Sequence, residues 1–129
     1  MFQYPYRVAT PDEPPAGFVL LNNRGIGSDE GVTDLAALAD TGADQTVIPT
    51  RIAEQLGLIP SRHVHVSGFD GVGASRPVYL VRLVVRDLPE IEVPVIGAWQ
   101  FRYAILGRDV LNLYRVVFDG PNQRLEISL

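Results

Sequence analysis

The sequence predicts a mainly β protein with two short helices, folded as one domain. Three observations carry that expectation. Hydrophobic residues make up 47% of the 129-residue chain, and β-branched aliphatics dominate them, which suits pleated, half-buried strands. The apolar stretches are short, and several alternate with polar residues. Glycine (12 residues) and proline (10 residues) punctuate them with turn chemistry, leaving only two places for a helix.

A chain of this length can bury its own core. Its 11 basic residues are outnumbered by 15 acidic ones, for a net charge of −4, and arginine carries the positive charge without forming a basic run. Nucleic acid is therefore not an expected partner. With no cysteine there is no disulfide framework, no thiolate metal site and no cysteine nucleophile. The N-terminus, Met1-Phe2-Gln3-Tyr4-Pro5-Tyr6-Arg7, lacks the charged and apolar regions of a signal peptide. No apolar run approaches the roughly 20 residues that span a bilayer. The expectation is a soluble protein with no membrane partner, and cytoplasmic by default.

Taken in order, residues 1–17 read as an extended N-terminal arm, with no regular ladder through Pro11, Pro14 and Pro15. Residues 18–129 read as the domain. Phe18-Val19-Leu20-Leu21 is a short strand, and Asn22 to Gly31, rich in glycine and asparagine, a long loop. Val32 to Ala39 is a strand, and Gln45 to Ile48 another. Thr50, a candidate N-cap, opens a helix with Ile52, Ala53 and Leu56 on its buried stripe and Gly57 at its end. His63 to Ser67 and Pro77 to Arg86 form a hairpin with the glycine-rich tip Gly68-Phe69-Asp70-Gly71-Val72-Gly73. Tyr79, Val81, Leu83 and Val85 share one face of its return strand. Ile91 to Val95 is a strand at an edge near Pro94. Gly97 to Tyr103 is an aromatic loop in which Trp99 and Phe101 read as core plugs, with a pocket lining as the alternative. Ala104-Ile105-Leu106 is a buried strand, Arg108 to Tyr114 a second short helix. Arg115 to Asp119 and Arg124 to Ser128 form a terminal hairpin.

One stretch stands apart. Leu38-Ala39 delivers Asp40 to a sharp turn, Asp40-Thr41-Gly42-Ala43, and Val47-Ile48 leads away from it. An isolated Asp-Thr-Gly is most often a plain β-turn. Here the flanking segments read as buried strands, and an acid in an apolar setting needs either partners or a chemical role.

Two further motifs follow it, the Gly71-Val72-Gly73 tip and Ile105-Leu106-Gly107-Arg108-Asp109-Val110-Leu111. In that order and at these separations the set resembles the retropepsin-like aspartic peptidases, over roughly Phe18 to Ile127. It looks closer to the cellular and bacterial members than to the viral ones, because a full hairpin follows the second helix. The resemblance implies a closed β-barrel-like acid protease lobe with two short helices and a flap hairpin. It implies an aspartic endopeptidase acting on an extended peptide or protein substrate, with no metal or cofactor. Because the chain has a single Asp-Thr-Gly, it implies a homodimer in which two Asp40 carboxylates share a site. Thr41 would bond across the two-fold axis, and Gly42 would permit close approach. Ala43 and Asp44 would contact substrate, and Gly71, Val72 and Gly73 would form the flap tip. Arg108 would pair with Asp44 and brace the loop. Apart from the resemblance, Asp109 reads as capping or starting the second helix, where negative charge is favoured.

Other readings stay open beside this one. The same fold could serve as a catalytically silent peptide-binding or assembly module, or as a monomer that assembles only on substrate. His63 and His65 share a strand face but lack a third metal ligand, so they read as surface residues. Asp70 reads as a turn former. Ser28, Ser61, Ser67 and Ser75 have no partner of the Ser-His-Asp kind.

Overall fold

Tyr79, Val81, Leu83 and Val85 are all buried, and together they line the inner face of the longest strand. The computed structural model describes residues 2–25, 31–67, 73–86 and 88–129. Within them the elements run β1 (Phe2–Pro5), β2 (Phe18–Gly25), β3 (Gly31–Ala39), β4 (Val47–Pro49), α1 (Thr50–Gln55), β5 (Arg62–Ser67) and β6 (Gly73–Val85). They continue with β7 (Ile91–Ala98), β8 (Ala104–Leu106), α2 (Arg108–Leu111), β9 (Arg115–Asp119) and β10 (Arg124–Ser128).

Six strands close into a barrel in the order β2-β3-β8-β4-β7-β6, with β6 returning to β2. At 13 residues, β6 is long enough to serve three partners. Its first half, Gly73 to Val78, pairs with β5, and Val81 to Val85 pairs with β2. Val78 to Leu83 pairs with β7 on the opposite side. The inward residues Val19 and Leu21 of β2, Leu35 and Ala37 of β3, and Val95 of β7 join those of β6 in one core. Closure leaves few unpaired strand edges, the main hazard of an all-β fold.

Most pairings are antiparallel, but β3 runs parallel to β8 and β4 runs parallel to β7. Ala39 lies opposite Leu106, so Asp40 and Gly107 leave the barrel side by side. A second sheet, β1-β10-β9, packs on the barrel through Leu125 and Ile127, both fully buried. No helix among the described residues is long and apolar enough to cross a membrane.

The expected mainly β barrel with two short helices and a terminal hairpin is present. Several local expectations need correction. The first strand does not stop at Leu21, because Asn22, Asn23 and Arg24 pair with Val84, Leu83 and Arg82 of β6. The ladder overrides the turn propensity of the asparagines, so the expected Asn22 to Gly31 loop is strand at both ends. Its residues 26–30 lie outside the described residues. An extra residue in β3 sets a bulge here. Asp34 adopts φ 56° and donates its N–H to Asn22 Oδ1 at 3.1 Å. The N-terminal arm also contains a ladder, Phe2 to Pro5 against Arg124 to Ile127, with Tyr4 buried. Arg86 lies 5.3 Å from the ring centroids of both Phe2 and Tyr4 and fastens the arm to the end of β6.

Thr50 is the first residue of α1 rather than its cap. Pro49, extended at the end of β4, holds that position without a side-chain hydrogen bond. Gly57 does end the helix, with φ +67°. The second helix stops at Leu111, and its last turn tightens as Leu113 and Tyr114 donate to Val110 and Leu111. The strand before the aromatic loop runs on to Ala98. Trp99 is 77% exposed and plugs no core, because the chain leaves the sheet immediately before it. Pro94 is tolerated because β4 joins β7 only from Ile96 onward, leaving one side of β7 free at the proline.

The terminal hairpin closes through Asp119, whose carboxylate accepts from the Asn122 side-chain amide at 2.8 Å and from the Asn122 N–H. Those bonds, the side-chain one first, hold the carboxyl below its ordinary value of 3.8. A depressed carboxyl contributes stability that is fully present above its unfolded-state value and disappears as pH falls through the folded-state value. Asp119→Ala should therefore lower the urea midpoint at pH 7. The gap to the wild type should close as pH is taken well below 3.8, read by fluorescence-monitored unfolding across that range.

Candidate active site

Parallel pairing of β3 with β8 brings the predicted Asp-Thr-Gly and Gly-Arg-Asp segments together. The Asp40 N–H donates to Leu106 O at 3.0 Å, which extends the ladder one residue past β3. The Ala43 N–H then donates back to Asp40 O at 3.2 Å, forming the turn. Within it the Gly42 N–H donates to Asp40 Oδ1 at 2.9 Å and orients the half-buried carboxyl. A Cβ on Gly42 would lie 3.2 Å from that same oxygen, a tight approach that glycine avoids. Thr41 is exposed beside it.

Arg108 ties the turn to the second helix. Its Nη1 donates to Thr41 O at 2.7 Å, and its Nη2 pairs with Asp44 Oδ1. The Arg108 N–H also donates to Ala43 O at 2.9 Å. The Arg108 side chain is 44% exposed and the Asp44 side chain 83% exposed, so the ion pair adds little stability. Its effect is geometric, since one planar group fixes two points of the turn.

Beneath lies a network that sequence reasoning missed. Thr46 is fully buried. Its Oγ1 donates to Asp109 Oδ1 at 2.8 Å and accepts from the Gly107 N–H at 3.1 Å, while its own N–H donates to Asp109 Oδ2 at 3.1 Å. Asp109 therefore sits in the first turn of α2, as expected, but spends its carboxylate on Thr46. Gly107 occupies the N-cap position instead. The glycine is required by close approach: a Cβ there would fall 2.6 Å from the carbonyl carbon of Gln45. Its legible sequence sign was a threonine leading into an apolar strand, which reads as ordinary β propensity.

A cleft of about 620 Å³ opens beside the turn. Gly42, Ala43, Asp44, Val47 and Ile96 form one wall, and Val64 to Ser67 of β5 the other. Of the expected flap tip, Gly71 and Val72 lie outside the described residues, as does Asp70. Gly73 starts β6 opposite Ser67. His63 and His65 are exposed on β5, and His65 borders the cleft.

Replacing Thr46 by valine keeps the shape but leaves the Gly107 N–H and Asp109 Oδ1 without the hydroxyl. Unpartnered buried groups of this kind cost about 1–3 kcal/mol each. The expected outcome for Thr46→Val is destabilisation of that order in chemical denaturation. A change within error of zero would show that the network is not what holds the turn.

Comparison with known proteins agrees with the geometry. Residues 30–113 match the family described as "gag-polyprotein putative aspartyl protease". No curated protein matches the sequence. Among solved structures, a retropepsin-like aspartic protease from Rickettsia conorii aligns with a TM-score of 0.62 at 13% identity. That alignment covers 98% of this chain and 90% of that one. The retroviral protease-like domain of Ddi1 from Leishmania major aligns with a TM-score of 0.52 at 19% identity, covering 88% and 90%. EIAV protease complexed with the inhibitor HBY-793 aligns with a TM-score of 0.50 at 24% identity, covering 81% and 92%. At these identities the structural neighbours speak to fold, and the sequence match speaks to family. The chain belongs to the gag-polyprotein aspartyl protease family and has the retropepsin-like fold.

Proposed function

We propose that this protein is an aspartic endopeptidase whose working unit is a homodimer, with the Asp40 carboxyls of two chains side by side. The observation that carries the reading is the braced turn: Asp40 is oriented by Gly42, fixed through Arg108, and set beside an open cleft. One chain carries a single Asp-Thr-Gly, so a carboxylate pair needs two chains.

Two carboxyls about 3 Å apart cannot both ionise, and they hold one proton between them. The ionised partner accepts a proton from a trapped water as the water oxygen bonds to the scissile carbonyl carbon. The protonated partner gives its proton to the carbonyl oxygen, which yields a neutral diol. The ionised carboxylate then takes a proton from one diol hydroxyl, and the carboxyl that took the water proton gives it to the amide nitrogen as the C–N bond breaks. The products are a free carboxyl and a free amine, and the pair regains its single proton. Such a pair titrates as a unit.

In this reading Thr41 bonds across the two-fold axis and Gly42 admits the backbone. Ala43 and Asp44 meet the substrate, and Gly71, Val72 and Gly73 close over it. An extended peptide in the cleft gains main-chain hydrogen bonds as an added strand, with alternate side chains entering the walls. Arg108 and Asp109 act indirectly, by holding the turn.

The experiment is digestion of a peptide library by wild type and by Asp40→Asn across acidic to neutral pH. Loss of general acid–base action should lower kcat about 100- to 10,000-fold. Cleavage that survives the substitution would remove Asp40 from the mechanism.

A mixing experiment tests the shared pair. After subunit exchange between equal amounts of wild type and Asp40→Asn, random pairing should leave about a quarter of the wild-type activity at matched total protein. About half would mean that each chain carries a complete site.

A further inference from the structure

The β5 wall of the cleft contains a basic side chain with an unusual seat. His65 lies opposite Ser75 in the β5–β6 pairing, next to the Ser67–Gly73 pair that begins the hairpin. Its ring occupies the space where any other residue at Gly73 would place a side chain. A Cβ added to Gly73 would lie 2.6 Å from His65 Cε1 and 2.9 Å from Cδ2, and in overlap with Nε2. Carbon atoms do not approach so closely, so the absence of a side chain at Gly73 makes the notch that the imidazole fills.

The surroundings of the ring define what it can read. Among the described lining residues, His65 is the single basic side chain in the cleft. The acid across from it, Asp44, is already paired with Arg108. Val47, Val64, Val66 and Ile96 supply the apolar lining. Arg76 of β6, the cross-strand partner of Val64, is not among the residues that line the cleft. No described residue forms a hydrogen bond with the His65 ring. An exposed imidazole with no hydrogen bond to another described residue and with apolar neighbours offers a directional donor to whatever enters.

We propose that His65, seated by Gly73, is a specificity-determining residue that selects a carboxylate or carboxamide side chain of the substrate near the scissile bond. The inference rests on the peptidase reading above. An acidic or amide side chain can lay its methylenes on the valines and its oxygen on the imidazole. An aliphatic side chain gains only the first contact.

The test starts from a peptide cut by the wild-type dimer. Glutamate, glutamine or leucine is placed in turn at each position flanking the cleaved bond, and kcat/KM is measured for each peptide. For at least one position, wild type should favour glutamate and glutamine over leucine by up to about fivefold, the range for an exposed polar pair. That ratio should collapse toward one in His65→Leu and partly return in His65→Gln, which keeps a donor. Gly73→Ala supplies a separate readout, because it leaves the histidine in place but pushes the ring from its seat. The same ratio should fall there too. Equal ratios in wild type and His65→Leu at every position would overturn the proposal while leaving the peptidase intact. A selectivity unchanged in Gly73→Ala would overturn the role given to the notch. A wild-type dimer that cuts no peptide would overturn the peptidase reading, and this inference with it.

Discussion

The fold is organised around one buried hydroxyl. Thr46 joins the start of β4, the end of β8 and the first turn of α2 through hydrogen bonds to Gly107 and Asp109. These segments meet where the barrel changes from antiparallel to parallel pairing, and there the regular ladder has least to offer the backbone. β4 and β8 share a single residue pair, Val47 with Ile105. The side-chain network supplies what the ladder lacks, and a buried network contributes most when every member is satisfied. Without it, Gly107 would have no reason to press against the backbone of Gln45, and the Asp40 turn would lose its floor.

From that junction the functional architecture follows in layers. The parallel ends of β3 and β8 place Asp40 beside Gly107. Arg108, next in sequence, reaches back to Thr41 and Asp44. The proposed chemistry needs a carboxyl held in one orientation before the substrate arrives. Preorganisation of this kind is delivered by rigid neighbours rather than by strong individual bonds. The exposed Asp44–Arg108 pair illustrates the point, being weak as a source of stability and effective as a clamp. The long β6 extends the same logic outward, anchored in the barrel at one end and carrying β5 and the wall of the cleft at the other.

Much of this was legible in the sequence because it depends on local pattern. The alternation of Tyr79, Val81, Leu83 and Val85 identified the inner face of β6. Gly57 marked the end of α1 through its positive φ. Ala104 to Leu106 and the terminal hairpin lie where their apolar runs and turn residues put them. The failures share a cause. Asn22 to Arg24 look like a loop and form strand, because the partners that recruit them lie some sixty residues away in β6. Trp99 looks like a core plug and is exposed, because residue type says nothing about which side of a sheet end the chain leaves from.

The sequence by itself determined the class of fold and the order of the motifs, and it singled out the acid on which the proposed chemistry rests, since these are properties of spacing, periodicity and residue chemistry. Tertiary structure decided how the motifs touch. Only chain crossing could bring Thr46 to Asp109, 63 positions apart, and turn that acid into a brace for the neighbouring strand. Only the pairing of β5 with β6 could seat the His65 ring against Gly73. Contacts of this sort depend on register and close approach between distant segments, and a linear pattern carries neither.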